Sequence, residues 1–93
     1  MTVLSAKFTF YIAHSTSLKT KRSVCRSIID KARQKWGLSV AEVDTQDVWQ
    51  TLTIGVALVS GSHSHARQIM GEVVRFMETQ QEAELTEIEE VYT

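Results

Sequence analysis

The spacing of apolar residues changes period along this chain, and that pattern constrains the fold more than any other feature. Over residues 3–12 every second side chain is apolar: Leu4, Ala6, Phe8, Phe10 and Ile12 fall on one side, and Val3, Ser5, Lys7, Thr9 and Tyr11 on the other. A period of two over this length predicts a half-buried strand. From Leu18 to Trp36 the period becomes helical, with Leu18, Cys25, Ile28, Ile29, Ala32 and Trp36 on one side. The polar break HSTS before it supplies N-cap residues, and Gly37 follows the last apolar member as a C-terminal stop. Residues 38–43 read as a short strand whose imperfect alternation predicts a bulge. Residues 51–59 alternate cleanly again, with Leu52, Ile54, Val56 and Leu58 inward. SGSHS then opens a second amphipathic helix marked by Ala66, Ile69, Met70, Val73, Phe76 and Met77. The acidic stretch AELTEIEEVY reads as a last strand at a sheet edge, where charge discourages aggregation.

Strand, helix, strand, strand, helix, strand is the order of an α+β ferredoxin-like βαββαβ domain. The expected architecture is a four-stranded antiparallel sheet with both helices on one face, built from residues 1–93 as one domain. Its core should contain Leu4, Phe8, Phe10, Ile28, Ile54, Val56, Ile69, Val73 and Phe76. The opposite sheet face should then display Val3, Tyr11, Thr53 and Val59. Such a semi-apolar surface predicts self-association as a homodimer.

Several classes of chemistry find no support. Cys25 is the one cysteine, so no internal disulfide can form, which fits a reducing compartment. The N-terminus lacks the pattern of a secretory leader, and no apolar run is long enough to span a bilayer, so a cytoplasmic location without membrane contact is expected. His14, His63 and His65 do not have the spacing of convergent metal ligands, so neither metal nor cofactor is expected. Cys25 lies within an apolar stripe and reads as a small core residue. No serine sits in a nucleophile elbow, and no glycine-rich phosphate loop is present. The expectation is that the protein is not an enzyme and has no catalytic residues.

Charge is more informative. The net value is −1, yet residues 18–36 hold seven basic side chains against Asp30 alone, a balance of +6 that leaves −7 for the rest. At helical spacing Lys19, Arg22, Arg26 and Arg33 form a stripe on one flank of the apolar face, while Lys31 and Lys35 lie on the other flank. Lys21 belongs to the same basic run, although it points toward the apolar side. Long basic side chains often do no more than cover apolar surface with their heads in water. Three arginines in register also suit phosphate, so Lys19, Lys21, Arg22, Arg26 and Arg33 form the candidate RNA- or anion-binding set. The stripe lacks interleaved aromatics, which favours backbone over base recognition. The strands likewise lack the stacking aromatics of an RNA-recognition motif.

The connection EVDTQDVWQTL, residues 42–52, carries more chemistry than a turn needs. One reading makes it a long hairpin connection whose Trp49 caps one end of the core, with Asp44 and Asp47 bonding backbone amides. The other makes it a recognition loop in which Gln46, Asp47 and Trp49 touch a partner.

Two stretches, SLKTKR at 17–22 and VAEVDTQDVWQ at 40–50, resemble the YlxP-like family of small bacterial proteins, a domain of unknown function. The resemblance extends over nearly the whole length, with the final third similar in general pattern only. It implies a ferredoxin-like fold. It also implies an association with translation, since such genes tend to lie among translation and ribosome-maturation genes. No catalytic residues come with it. The expected function is a non-enzymatic binding protein that contacts ribosomal or other structured RNA through its first helix. The alternative is a homo-oligomeric protein-interaction module that uses the open sheet face and the 44–50 loop.

Overall fold

The computed structural model describes residues 1–92. Its elements are β1 (Thr2–Tyr11), α1 (Leu18–Trp36), β2 (Ser39–Glu42), β3 (Thr51–Ser60), α2 (His63–Glu78) and β4 (Glu84–Tyr92). The strands form one sheet in the order β2-β3-β1-β4, with every neighbouring pair antiparallel. This is the ferredoxin-like α+β arrangement that the periodicity predicts. β1 and β3 are central, and β2 and β4 are the two edges.

The helix ends follow local chemistry. Ser17 has an extended backbone, and its hydroxyl accepts from the Thr20 amide, satisfying one of the free N–H groups of the first turn of α1. Gly37 closes the helix at φ 64°, the left-handed region, and its N–H reaches the Arg33 carbonyl at 2.8 Å. Ser62 caps α2 in the same way through the His65 amide.

Both helices cover the sheet face that carries the even-numbered residues of β1. α1 packs on β2 and β3, and α2 packs on β1, β3 and β4. Leu4, Phe8, Phe10, Ile28, Ile54, Val56 and Val73 are all buried between these layers, and Ile69 and Phe76 pack against them half-buried. Trp36 fastens the two helices to each other. Its indole N–H donates to Glu72 at 3.2 Å, and its ring meets Phe76 edge-on at 5.4 Å between centroids.

One expectation about register needs correction. β2 pairs regularly with β3 throughout, so the bulge predicted in 38–43 is absent there. The irregularity lies between β1 and β4 instead. Phe10 faces Leu85, Thr9 faces Glu87 and Phe8 faces Ile88, which leaves Thr86 as an extra residue. The Thr86 hydroxyl donates to the Thr9 carbonyl at 3.0 Å and holds the bulge closed.

Ile54 is fully buried on a central strand. Ile54→Ala should lower the stability read from urea denaturation by about 2–5 kcal/mol, with the transition still cooperative.

Candidate functional site

α1 and the β2 segment run antiparallel, side by side, and three contacts mark their path. Near the helix C-terminus, Arg33 donates from Nη2 to the Val40 carbonyl at 2.8 Å. One step further, the Cys25 thiol lies 3.9 Å from Glu42. In the first turns of the helix, Lys21 reaches past the end of β2 to the Thr45 carbonyl. The loop after β2 is thereby brought against the N-terminal end of α1.

Lys21 carries this junction. Its side chain has no exposed surface, and its ammonium pairs with Glu42 at 2.7 Å, Glu42 itself being 16% exposed. An ammonium removed from water needs acceptors, and the Glu42 carboxylate and the Thr45 carbonyl supply two. The network then continues into the sheet. The Thr45 hydroxyl lies 3.5 Å from Glu42 and accepts the Thr53 amide at 2.8 Å, while the Val43 amide donates to the Thr53 carbonyl at 2.9 Å. Lys21 is therefore withdrawn from the predicted basic surface, because its charge is spent inside the protein. Cys25 lies beneath the same junction. Burial pushes its thiol from the ordinary 9.0 up to about 11, and the Glu42 charge adds to that effect. The thiol is therefore protonated and inert near neutrality.

The rest of the basic stripe is exposed. Lys19, Arg22, Arg26 and Arg33 all reach solvent along α1. Lys21 pairs with Glu42, and Lys7 with Asp44 and Glu89, whereas Lys19, Arg22 and Arg26 take part in no ion pair among the described residues. Arg22, Arg26 and Arg33 line a groove of about 400 Å³ between α1 and β2, with Cys25 and Glu42 at its floor. Lys19, Arg22 and Arg26 border a second groove of about 520 Å³ along the outer side of the helix. From Lys19 to Arg33 the track is about 21 Å long at the helical rise.

The 43–50 loop differs from its core-cap reading. Trp49 is 55% exposed and Val48 stands beside it in solvent, so Trp49 caps nothing. Gln46 and Asp47 are exposed as well. The loop is held from both sides all the same. Asp44 adopts φ 65°, which an aspartate tolerates, and the Thr45 amide closes on the Val43 carbonyl at 2.7 Å. Val48 N–H reaches the Thr45 carbonyl at 3.1 Å. At the far end the Gln50 carbonyl accepts from Ile12 at 2.9 Å, and the Gln50 side chain donates to Ala13 at 3.3 Å.

On the open sheet face Lys7 bridges Asp44 at 3.0 Å and Glu89 at 3.5 Å. The hydrogen bond from Lys7 to Asp44, aided by both carboxylate charges, raises the ammonium above the ordinary 10.5; these groups are exposed, so the pairs add little stability. Val43 leans over Gly55, where a Cβ would come within 3.3 Å of it. Thr53, predicted to line this face, lies on that side by its pairing with Thr9 but is only 5% exposed. Val3 remains half-buried, and Tyr11 and Val59 are exposed. A shallow trough of about 490 Å³ runs across this face between Ala41, Val43, Ala57 and Val91.

Among the described residues, no group of three or more His, Cys, Asp or Glu side chains is placed to hold a metal ion, and no helix is long and apolar enough to cross a membrane. Fold and site together define a small ferredoxin-like domain in which a buried ion pair ties a loop to a basic helix. The chain belongs to the family described as protein of unknown function (DUF503), whose model matches residues 3–90. It is 34% identical over 70 residues to a protein of Bacillus subtilis (strain 168) described as Uncharacterized protein YlxP, a match covering 75% of this chain and 76% of that one. Among solved structures it aligns with the de novo designed protein Ferredog-Diesel at 14% identity and a TM-score of 0.43, over 94% of this chain and 83% of the other.

Two outcomes follow from the junction. Lys21→Met leaves the Glu42 carboxylate unpaired and should cost about 3–5 kcal/mol in a urea melt, whereas Lys21→Met/Glu42→Leu should recover most of that loss. For Cys25 the folded state favours the protonated thiol, so its contribution to stability is complete below pH 9.0 and is lost as pH rises toward about 11. Urea melts across that window should show an alkaline loss in the wild type that is smaller in Cys25→Ala.

Proposed function

We propose that this protein is a non-enzymatic binding protein of the cytoplasm that holds ribosomal or other structured RNA through the exposed flank of α1. The observation that supports this most is the row Lys19, Arg22 and Arg26, three exposed cations with no carboxylate partner among the described residues. Asp30, four residues after Arg26, borders both grooves, yet it forms no ion pair with Arg26. Here the exposed glutamates of β4 lie on the opposite edge of the sheet, so the flank of α1 keeps its positive field. Phosphate contacts made this way position an RNA without reading its sequence.

A second reading rests on the open sheet face. Tyr11, Val59 and Val91 are exposed there beside the trough, and this favours a homodimer or another protein partner on that surface. Salt separates the two readings, because phosphate contacts weaken steeply with ionic strength and apolar contacts do not.

Arg22→Glu/Arg26→Glu should leave the melting temperature nearly unchanged and strongly reduce binding to a structured RNA at low salt. Arg22→Ala/Arg26→Ala should flatten the dependence of log K on log salt by about two units, one for each phosphate that an arginine no longer neutralises. Equal binding by the Glu variant, or no RNA binding by the wild type, overturns the reading. A salt-insensitive dimer mass in light scattering would then support the open-face alternative.

A further inference from the structure

We propose that Trp49 is a stacking platform for an unpaired base, set at the end of the phosphate track on α1, so that the RNA bound is a single-stranded segment such as a loop, bulge or end. This rests on the reading of α1 as a phosphate-binding flank.

Three observations carry it. The first is placement. The contacts Arg33–Val40, Cys25–Glu42 and Lys21–Thr45 step along α1 toward its N-terminus, and Trp49 lies four residues beyond Thr45. The loop is anchored on its other side to Ile12 and Ala13, just before α1 begins. A strand following Arg33, Arg26, Arg22 and Lys19 is therefore delivered toward this loop.

The second is exposure combined with a fixed frame. Trp49 is 55% exposed on a loop whose backbone is tied at Val43, Thr45, Val48 and Gln50. A large indole in water is costly, and a platform whose backbone is already fixed loses little further entropy when a base covers it.

The third is the chemistry of residues 46–50. They contain no cation, and Asp47 is exposed among them, so this segment repels phosphate. What it offers a nucleic acid is an aromatic face, with the amides of Gln46 and Gln50 and the Asp47 carboxylate at its margin. A cationic track that ends in an anionic aromatic loop sorts a single strand: backbone on the helix, base on the indole. A continuous duplex keeps its bases stacked internally and offers the indole nothing comparable.

Trp36 and Trp49 are the two tryptophans, so Trp36→Phe makes Trp49 the only indole. In that background a short single-stranded RNA should quench the fluorescence at low salt, and the duplex of the same sequence should quench it far less. Trp49→Ala in the otherwise unchanged protein should weaken single-strand binding roughly 5- to 150-fold, leave duplex binding and the salt slope unaltered, and be largely rescued by Trp49→Phe. If Trp49→Ala binds the single strand as well as the wild type while Arg22→Glu/Arg26→Glu does not, the stacking role is wrong and the phosphate track stands. If neither RNA binds the wild type, both are wrong. If Trp49→Ala instead dissolves a self-associated species in light scattering and leaves RNA affinity unchanged, the loop is a protein contact and the stacking role is again overturned.

Discussion

The buried pair between Lys21 and Glu42 is the interaction on which the arrangement of α1, β2 and the loop after it depends. Apolar packing between α1 and β2 would tolerate some sliding, because a four-residue edge strand offers few knobs to lock the helix. A desolvated ammonium is less tolerant, since moving away from its acceptors leaves a charge without water. Lys21 takes one acceptor from the end of β2 and one from the loop, so it fixes both at once. Thr45 passes the constraint to β3 by accepting the Thr53 amide. The pair adds less stability than its distance suggests, because desolvation opposes the Coulomb attraction. Its effect is to define where the loop starts relative to the helix.

Much of the fold was legible in the sequence because burial imposes period two on strands and about 3.6 on helices. Ser17, Ser62 and Gly37 punctuate the helices where capping chemistry says they should. Lys21 was harder to place. A basic residue within a basic run invites a surface reading, and its partner is 21 positions away in a different element. The available signal was parity. Glu42 shares the inward side of β2 with buried Val40, just as Lys21 sits on the apolar side of α1; opposite charges on two inward faces point to a buried pair. Trp49 shows the reverse failure. Its size argued for burial, but the ring is 55% exposed in a run, residues 46–50, in which every side chain is exposed. The exposure of Lys19, Arg22, Arg26 and Arg33 followed directly from helical spacing.

The charge separation visible in composition becomes spatial in the sheet. β2, one edge, lies beside the arginines of α1, and β4, the other, carries Glu84, Glu87, Glu89 and Glu90 in solvent. The two edges therefore meet different needs. Glutamates along a nine-residue edge strand keep it from recruiting another strand. β2 is guarded differently: it is short, and the Arg33 guanidinium occupies the Val40 carbonyl. The two sides of the sheet therefore carry charge of opposite sign.

The bulge at Thr86 works like a frame correction in a message. Up to Leu85, counting by twos along β4 places apolar residues toward the helices. Continued unbroken, that count would send Glu87 to face Phe8 and would turn Ile88 away. One inserted residue shifts the count, so Ile88 faces Phe8 while Glu87 and Glu89 pass to the other side, where Glu89 meets Lys7. The last strand is thus written in two frames joined at one residue. Removing Thr86 at the join would close the bulge and leave Ile88 against Phe8, whereas removing a single residue further along would swap the two faces of everything after it.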